Sequence, residues 1–118
     1  MGMIKFFLRT PTFPILIEGD DGVSCALDAA ELSKVVTDGV FVEKSNYDAI
    51  DSKAESWMYV PKVNILSPLT IDKRWSKKKI VDFYNRRLAP GSKFKPGNLS
   101  NVLVGNLLKK IANHDRGI

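Results

Sequence analysis

The stretch "ILIEGDDGVSCALDAAELSKVV", residues 15–36, decides how the chain is read. Ile15-Leu16-Ile17 is apolar without alternation, the mark of a strand covered on both faces. "GDDG", residues 19–22, follows it. Asp-Gly between two apolar runs is a hairpin signal, because a tight turn needs positive φ at its central positions. The return strand then occupies residues 23–27. Asp28, with Glu31 three residues later, is an aspartate form of the capping box. Leu32, Val35 and Val36 make one face of the short helix that it opens, and Gly39 stops it.

The same reading extends in both directions. Residues 3–8 alternate Ile4, Phe6 and Leu8 against Lys5 and Phe7, a strand pattern with one buried face. "TPTFP" bends the chain, and Pro14 suits the start or the edge of the next strand. Downstream, "VFVEKSNYDAID" and "SWMYVP" predict a second antiparallel pair joined by "SKAE", and "KVNIL" predicts one more short strand. From Trp75 the period changes to 3.6. In "SKKKIVDFYNRRL", Ile80, Val81, Tyr84 and Leu88 share one face, with Phe83 at its margin. Lys78–Asp82 and Asp82–Arg86 stand at ion-pair spacing on the opposite face. A last helix is predicted over about 99–113, capped by Asn98 or Ser100, with Leu103, Val104, Leu107, Leu108 and Ile111 as its apolar arc. Gly105 inside it costs roughly 1 kcal/mol against alanine, which predicts a close packing contact there.

These elements predict an α+β fold. An antiparallel sheet of four to six short strands, with one short helix, is followed by a C-terminal pair of amphipathic helices packed on the sheet. At 118 residues the chain reads as a single domain, residues 1–118, with a β-rich part at about 1–66 and a helical, basic part at about 72–118. A content of 44% apolar residues supplies a core and argues against disorder. No apolar run approaches the roughly 18 residues that span a membrane. The lysine and arginine that interrupt the N-terminal apolar stretch argue for strands rather than a signal peptide. Cys25 is the single cysteine, so no internal disulfide and no cysteine cluster for zinc can form, and a cytoplasmic location fits.

Charge carries the clearest functional hint. Residues 1–60 hold five basic and ten acidic side chains, a net −5, whereas residues 61–118 hold thirteen and three, a net +10. Such asymmetry points to a nucleic-acid or acidic partner, or to attraction between the halves, within one chain or between two. The basic run "WSKKKIVDFYNRRLAPGSKFK", residues 75–95, nominates Lys78, Lys79 and Arg86 on one helix as phosphate contacts, extended by Lys93 and Lys95 in the loop and by Lys109 and Lys110 on the last helix. Phe94, between two lysines, has the placement of a base-stacking ring. A helix-turn-helix is disfavoured. The loop at about 89–97 exceeds the usual three- or four-residue turn, and Leu99, Ser100 and Asn101 offer no arginine for guanine edges.

The other groups read structurally. Glu18, Asp20, Asp21, Asp28 and Glu31 lack calcium-loop spacing, and turn and cap roles account for them. The lone histidine, His114, has no second histidine for a metal site and sits near a helix end. Cys25 reads as a small buried apolar residue. No Walker A or G-x-G-x-x-G motif is present, so neither a cofactor nor an enzymatic site is expected, although carboxylate- or tyrosine-based sites leave no local signature. Trp57 and Tyr59 share one strand face and read first as core. Exposed, that face would suit a protein interface. The expectation is a non-enzymatic protein whose basic helical part contacts nucleic acid backbone, in a regulatory or accessory role. The alternative is a protein-interaction module with an acidic protein surface as partner, including a homodimer that pairs acidic and basic faces.

Overall fold

The computed structural model describes residues 3–69 and 75–117. Its centre is a six-stranded sheet built from β1 (Lys5–Phe6), β2 (Ile15–Gly19), β3 (Gly22–Ala26), β4 (Tyr47–Ile50), β5 (Ser56–Val60) and β6 (Ile65–Pro68), in the order β1-β6-β5-β4-β2-β3. Three α-helices accompany it: α1 (Ala29–Asp38), α2 (Lys77–Asn85) and α3 (Val104–Asp115).

The opening stretch folds as its chemistry dictates. β2 and β3 pair antiparallel from Ile15↔Ala26 to Gly19↔Gly22, and Gly22 takes a φ of 130° at the turn. Asp28 caps α1 by accepting from the Glu31 N–H at 2.8 Å. Glu31 in return accepts from Leu27 N–H at 2.9 Å, one residue earlier than the standard box.

Alternation along β2 then assigns the two faces of the sheet. Ile15 and Ile17 join Ala26, Leu32, Val36, Tyr47, Ala49, Trp57, Tyr59 and Leu66 on the α1 side. Leu16, Cys25 and Ile50 join Ile80, Val81, Phe83, Tyr84, Leu107, Leu108 and Ile111 on the α2–α3 side. The unbroken apolar run at residues 15–17 is therefore explained by cover on both faces.

Several expectations are corrected. The sheet is mixed, because β1 runs parallel to β6, with Lys5 opposite Ile65. β1 is also shorter than the alternation suggested. At Leu8 the backbone turns to φ 69° and the side chain is 78% exposed, so the strand pattern ends at Phe6. The last helix begins at Val104, not near residue 99. Leu103 is its N-cap, and Asn98 instead accepts from the N–H and hydroxyl of Ser100 in a local turn. Gly105 is not tightly packed, since a Cβ there would lie 3.8 Å from the Ser52 Cβ, an ordinary contact. The passage from the β-rich part to the helical part, between about 66 and 72, falls partly outside the described residues. No described helix is long and apolar enough to cross a membrane.

Candidate nucleic-acid interface

α2 and α3 start at the same end of the sheet. Trp75 N–H donates to the Ala54 carbonyl at 3.0 Å, and Gly105 lies beside Ser52. The helices meet again at their C-terminal ends, where the Tyr84 hydroxyl is 2.9 Å from His114 Nδ1. They run in the same sense, so the connection 86–103 has to return along them. A tight helix-turn-helix turn cannot do this.

Two contacts from α2 fix the returning segment. The Asn85 side chain bonds both main-chain groups of Phe94, donating to its carbonyl and accepting from its N–H, each at 2.8 Å. At the other end of the helix, Lys77 donates to the Leu99 carbonyl at 2.6 Å. Phe94 turns its ring edge-on to His114, at 5.5 Å between centroids, and packs against the helical core. The ring expected to stack on a base is thus a partly buried wedge between the helices.

Several lysines adjoin these anchor residues in sequence or on the same helical stripe. Lys93 and Lys95 flank the wedged Phe94 and are exposed. Lys78 stands seven residues before Asn85, two turns along the same stripe of α2, about 10 Å away. Lys110 stands one turn before His114, on the stripe of α3 that meets the loop. Lys78 and Lys110 are also exposed, as are Lys79 and Lys109 at the flanks. Lys79 places its ammonium 4.6 Å from the Trp75 ring centre.

The arginines behave differently. Arg86 pairs with Glu18, a carboxylate only 5% exposed on β2. Arg87 places Nε 3.5 Å from the same carboxylate and donates to the Asp20 carbonyl at 2.7 Å. Arg116 pairs with Glu31 of α1. Among the described residues neither Lys78–Asp82 nor Asp82–Arg86 forms an ion pair, and Arg86 reaches the sheet instead. The acidic and basic halves of the chain are joined through these contacts.

The remaining polar groups have structural partners. Asp20 ties the hairpin to the segment before β4. It accepts from the Tyr47 hydroxyl at 2.7 Å, Val42 N–H at 2.7 Å and Glu43 N–H at 3.0 Å. Burial opposes its charge, but these bonds, with Lys44 nearby, outweigh it and hold the carboxyl below its usual value. Burial, then the charge of Asp115, pushes the Cys25 thiol up to about 12. Asp115 is itself raised by burial, against bonds from Tyr84 and the Cys25 N–H, and burial likewise raises the Tyr84 hydroxyl. Among the described residues no group of histidine, cysteine, aspartate or glutamate is arranged to hold a metal ion.

Trp57 and Tyr59 are 0% and 2% exposed. The Trp57 indole N–H donates to Asp51 at 3.0 Å, and Tyr59 donates to Asn64 at 2.8 Å. Both rings are core, and neither lies on a face open to a partner. Sequence reasoning missed Asn85 and Lys77, the residues that position the loop. An asparagine on the polar side of a helix carries no pattern that announces such a bond. Compared with protein-family models, with curated proteins and with solved structures, the chain matches none.

Proposed function

We propose that this protein binds the phosphate backbone of nucleic acid, in an accessory or regulatory role. The surface is the α2–α3 seam. Lys78, Lys93, Lys95 and Lys110 make the phosphate contacts, with Lys79 and Lys109 at the flanks. What supports this reading is the docking of the return loop through Asn85, Phe94 and Lys77, with exposed lysines next to these anchors in sequence or on the same helical stripe. The lysines are exposed, while Arg86, Arg87 and Arg116 are engaged with the acidic half. An ammonium is a compact, hydrated point charge suited to phosphate, and its contacts release counterions. Binding to labelled oligonucleotides, followed by fluorescence anisotropy at ~50 and ~200 mM salt, tests it. Micromolar or tighter binding that weakens steeply with salt is expected. Absence of binding at the lower salt refutes it.

A second reading rests on the edge of the sheet. β1 is an edge strand, and Met3, Phe7 and Leu8 beside it are exposed. A second copy adding a strand there would cover them. A mass that rises with protein concentration in sedimentation would favour this reading.

A further inference from the structure

Beside the seam, on the other flank of α2, lies a cleft of about 290 Å³ lined by Asp48, Trp75, Lys79, Asp82, Phe83 and Arg86. Its wall is aromatic. The Trp75 indole is fixed by donation to Ser56 Oγ at 2.7 Å and by an edge contact with Phe83 at 5.0 Å. Lys79 covers the Trp75 ring from the solvent side. Asp48 reaches the cleft from β4 and Asp82 from α2; both are exposed.

The charges sort what can enter. Arg86 also lines the cleft but is paired with Glu18, so the two carboxylates oppose a phosphate in the interior, while Lys79 over Trp75 attracts one. The carboxylates accept hydrogen bonds, and the exocyclic amine of an unpaired base can donate them, as cytosine N4 does to aspartate. A phosphate at the rim draws the Lys79 ammonium from the ring, and base–aromatic stacking is stronger than the exposed cation–π contact it replaces. A base inside a duplex cannot present its face to Trp75.

We propose that this cleft takes one unpaired, amino-bearing base of a single strand, stacked on Trp75, with its amine on Asp48 or Asp82 and its phosphate on Lys79. This rests on the backbone-binding reading above and makes it a preference for single strands.

The test uses the whole chain with labelled oligodeoxycytidylate, oligothymidylate and a mixed duplex, each about 12 nucleotides long, within the usual span of single-strand sites. Anisotropy gives affinity and intrinsic fluorescence gives occupancy. Trp57 is buried, so quenching and protection from acrylamide report Trp75. The cytidylate is expected to bind about tenfold tighter than the thymidylate and the duplex, the scale of one good stacking or base-edge contact, and to quench Trp75. Asp82→Ala, on an exposed helix position, should narrow the cytidylate–thymidylate gap, and Lys79→Ala should weaken both strands. Equal affinity for all three nucleic acids without quenching overturns the cleft proposal and leaves backbone binding intact. No binding to any of them overturns the backbone reading and the cleft with it.

Discussion

The decisive perturbation of the proposed interface is Lys93→Gln with Lys95→Gln. Both residues are exposed and outside any helix or strand, so the change removes charge without touching the core. Each phosphate neutralised on a single strand contributes about 0.7 to the slope of log affinity against log salt. Four seam lysines give a slope of about −2.8, roughly a 50-fold loss of affinity between ~50 and ~200 mM salt. Two give about −1.4, roughly a sevenfold loss over the same range. Anisotropy titrations at four or more salt concentrations measure the slope directly. Arg86→Gln is the contrast. Its guanidinium is paired with Glu18, so the slope should hold while stability falls. The loss should be about 1–3 kcal/mol, below that for a fully buried pair, because Arg86 is half exposed and Arg87 stays beside the carboxylate. An unchanged slope in the double lysine variant, or an equal fall in Arg86→Gln, would refute the assignment of lysines outward and arginines inward.

Four further outcomes follow from the packing. Gly105→Ala should raise stability by about 0.5–1 kcal/mol in a thermal melt, since helix propensity improves and the new Cβ meets only an ordinary contact; a loss would show hidden crowding. Asp51→Ala should cost about 3–5 kcal/mol in urea unfolding. The carboxylate is 0% exposed and accepts from the N–H groups of Lys53 and Glu55 and from the Trp57 indole, all orphaned by the change. Cys25, buried and with its thiol pushed up to about 12, should resist thiol reagents at pH 8 until the protein is unfolded by urea. Asp20 has a lowered folded value, so its contribution is complete above the unfolded value of about 4 and is lost as pH falls through the folded one. In Asp20→Asn the acid limb of the stability profile should therefore become shallower, and an identical limb would count against the network drawn around it.

Local chemistry made much of the fold legible. The hairpin and the α1 cap each rest on residues within one turn of each other, and the structure has them where the sequence puts them; the apolar faces of the last two helices hold only in part, since Leu88 lies past the end of α2 and Leu103, before α3, is 73% exposed. Part of what was misread depends on contacts distant in sequence. The parallel pairing of β1 with β6 joins residues about sixty positions apart, and no turn motif signals it. The start of α3 was placed early because Asn98 and Ser100 are good caps. Yet Asn98 satisfies Ser100 in a turn, so the cap signal was real chemistry at the wrong boundary. For the candidate site, the basic residues were visible as a set. The wedge role of Phe94 and the grip of Asn85 were not, since each depends on how the return loop docks.

The charge split of the sequence acquires a physical meaning from this arrangement. A net −5 half and a +10 half could simply attract. In the fold the attraction runs through arginine. Arg86 and Arg87 reach Glu18, and Arg116 reaches Glu31. A guanidinium suits this work, because its planar fork bonds a carboxylate and a carbonyl together and tolerates partial burial. Lysine at these positions would lose bonds and pay more for desolvation. These contacts neutralise Glu18 and Glu31 where the two halves meet. In the proposed reading, the exposed lysines supply the charge that a polyanion would meet in place of its counterions. If that division is correct, exchanging arginine for lysine at 86, 87 and 116 should weaken the fold while leaving salt-dependent binding in place. The reverse exchange at 78, 93, 95 and 110 should leave the fold untouched.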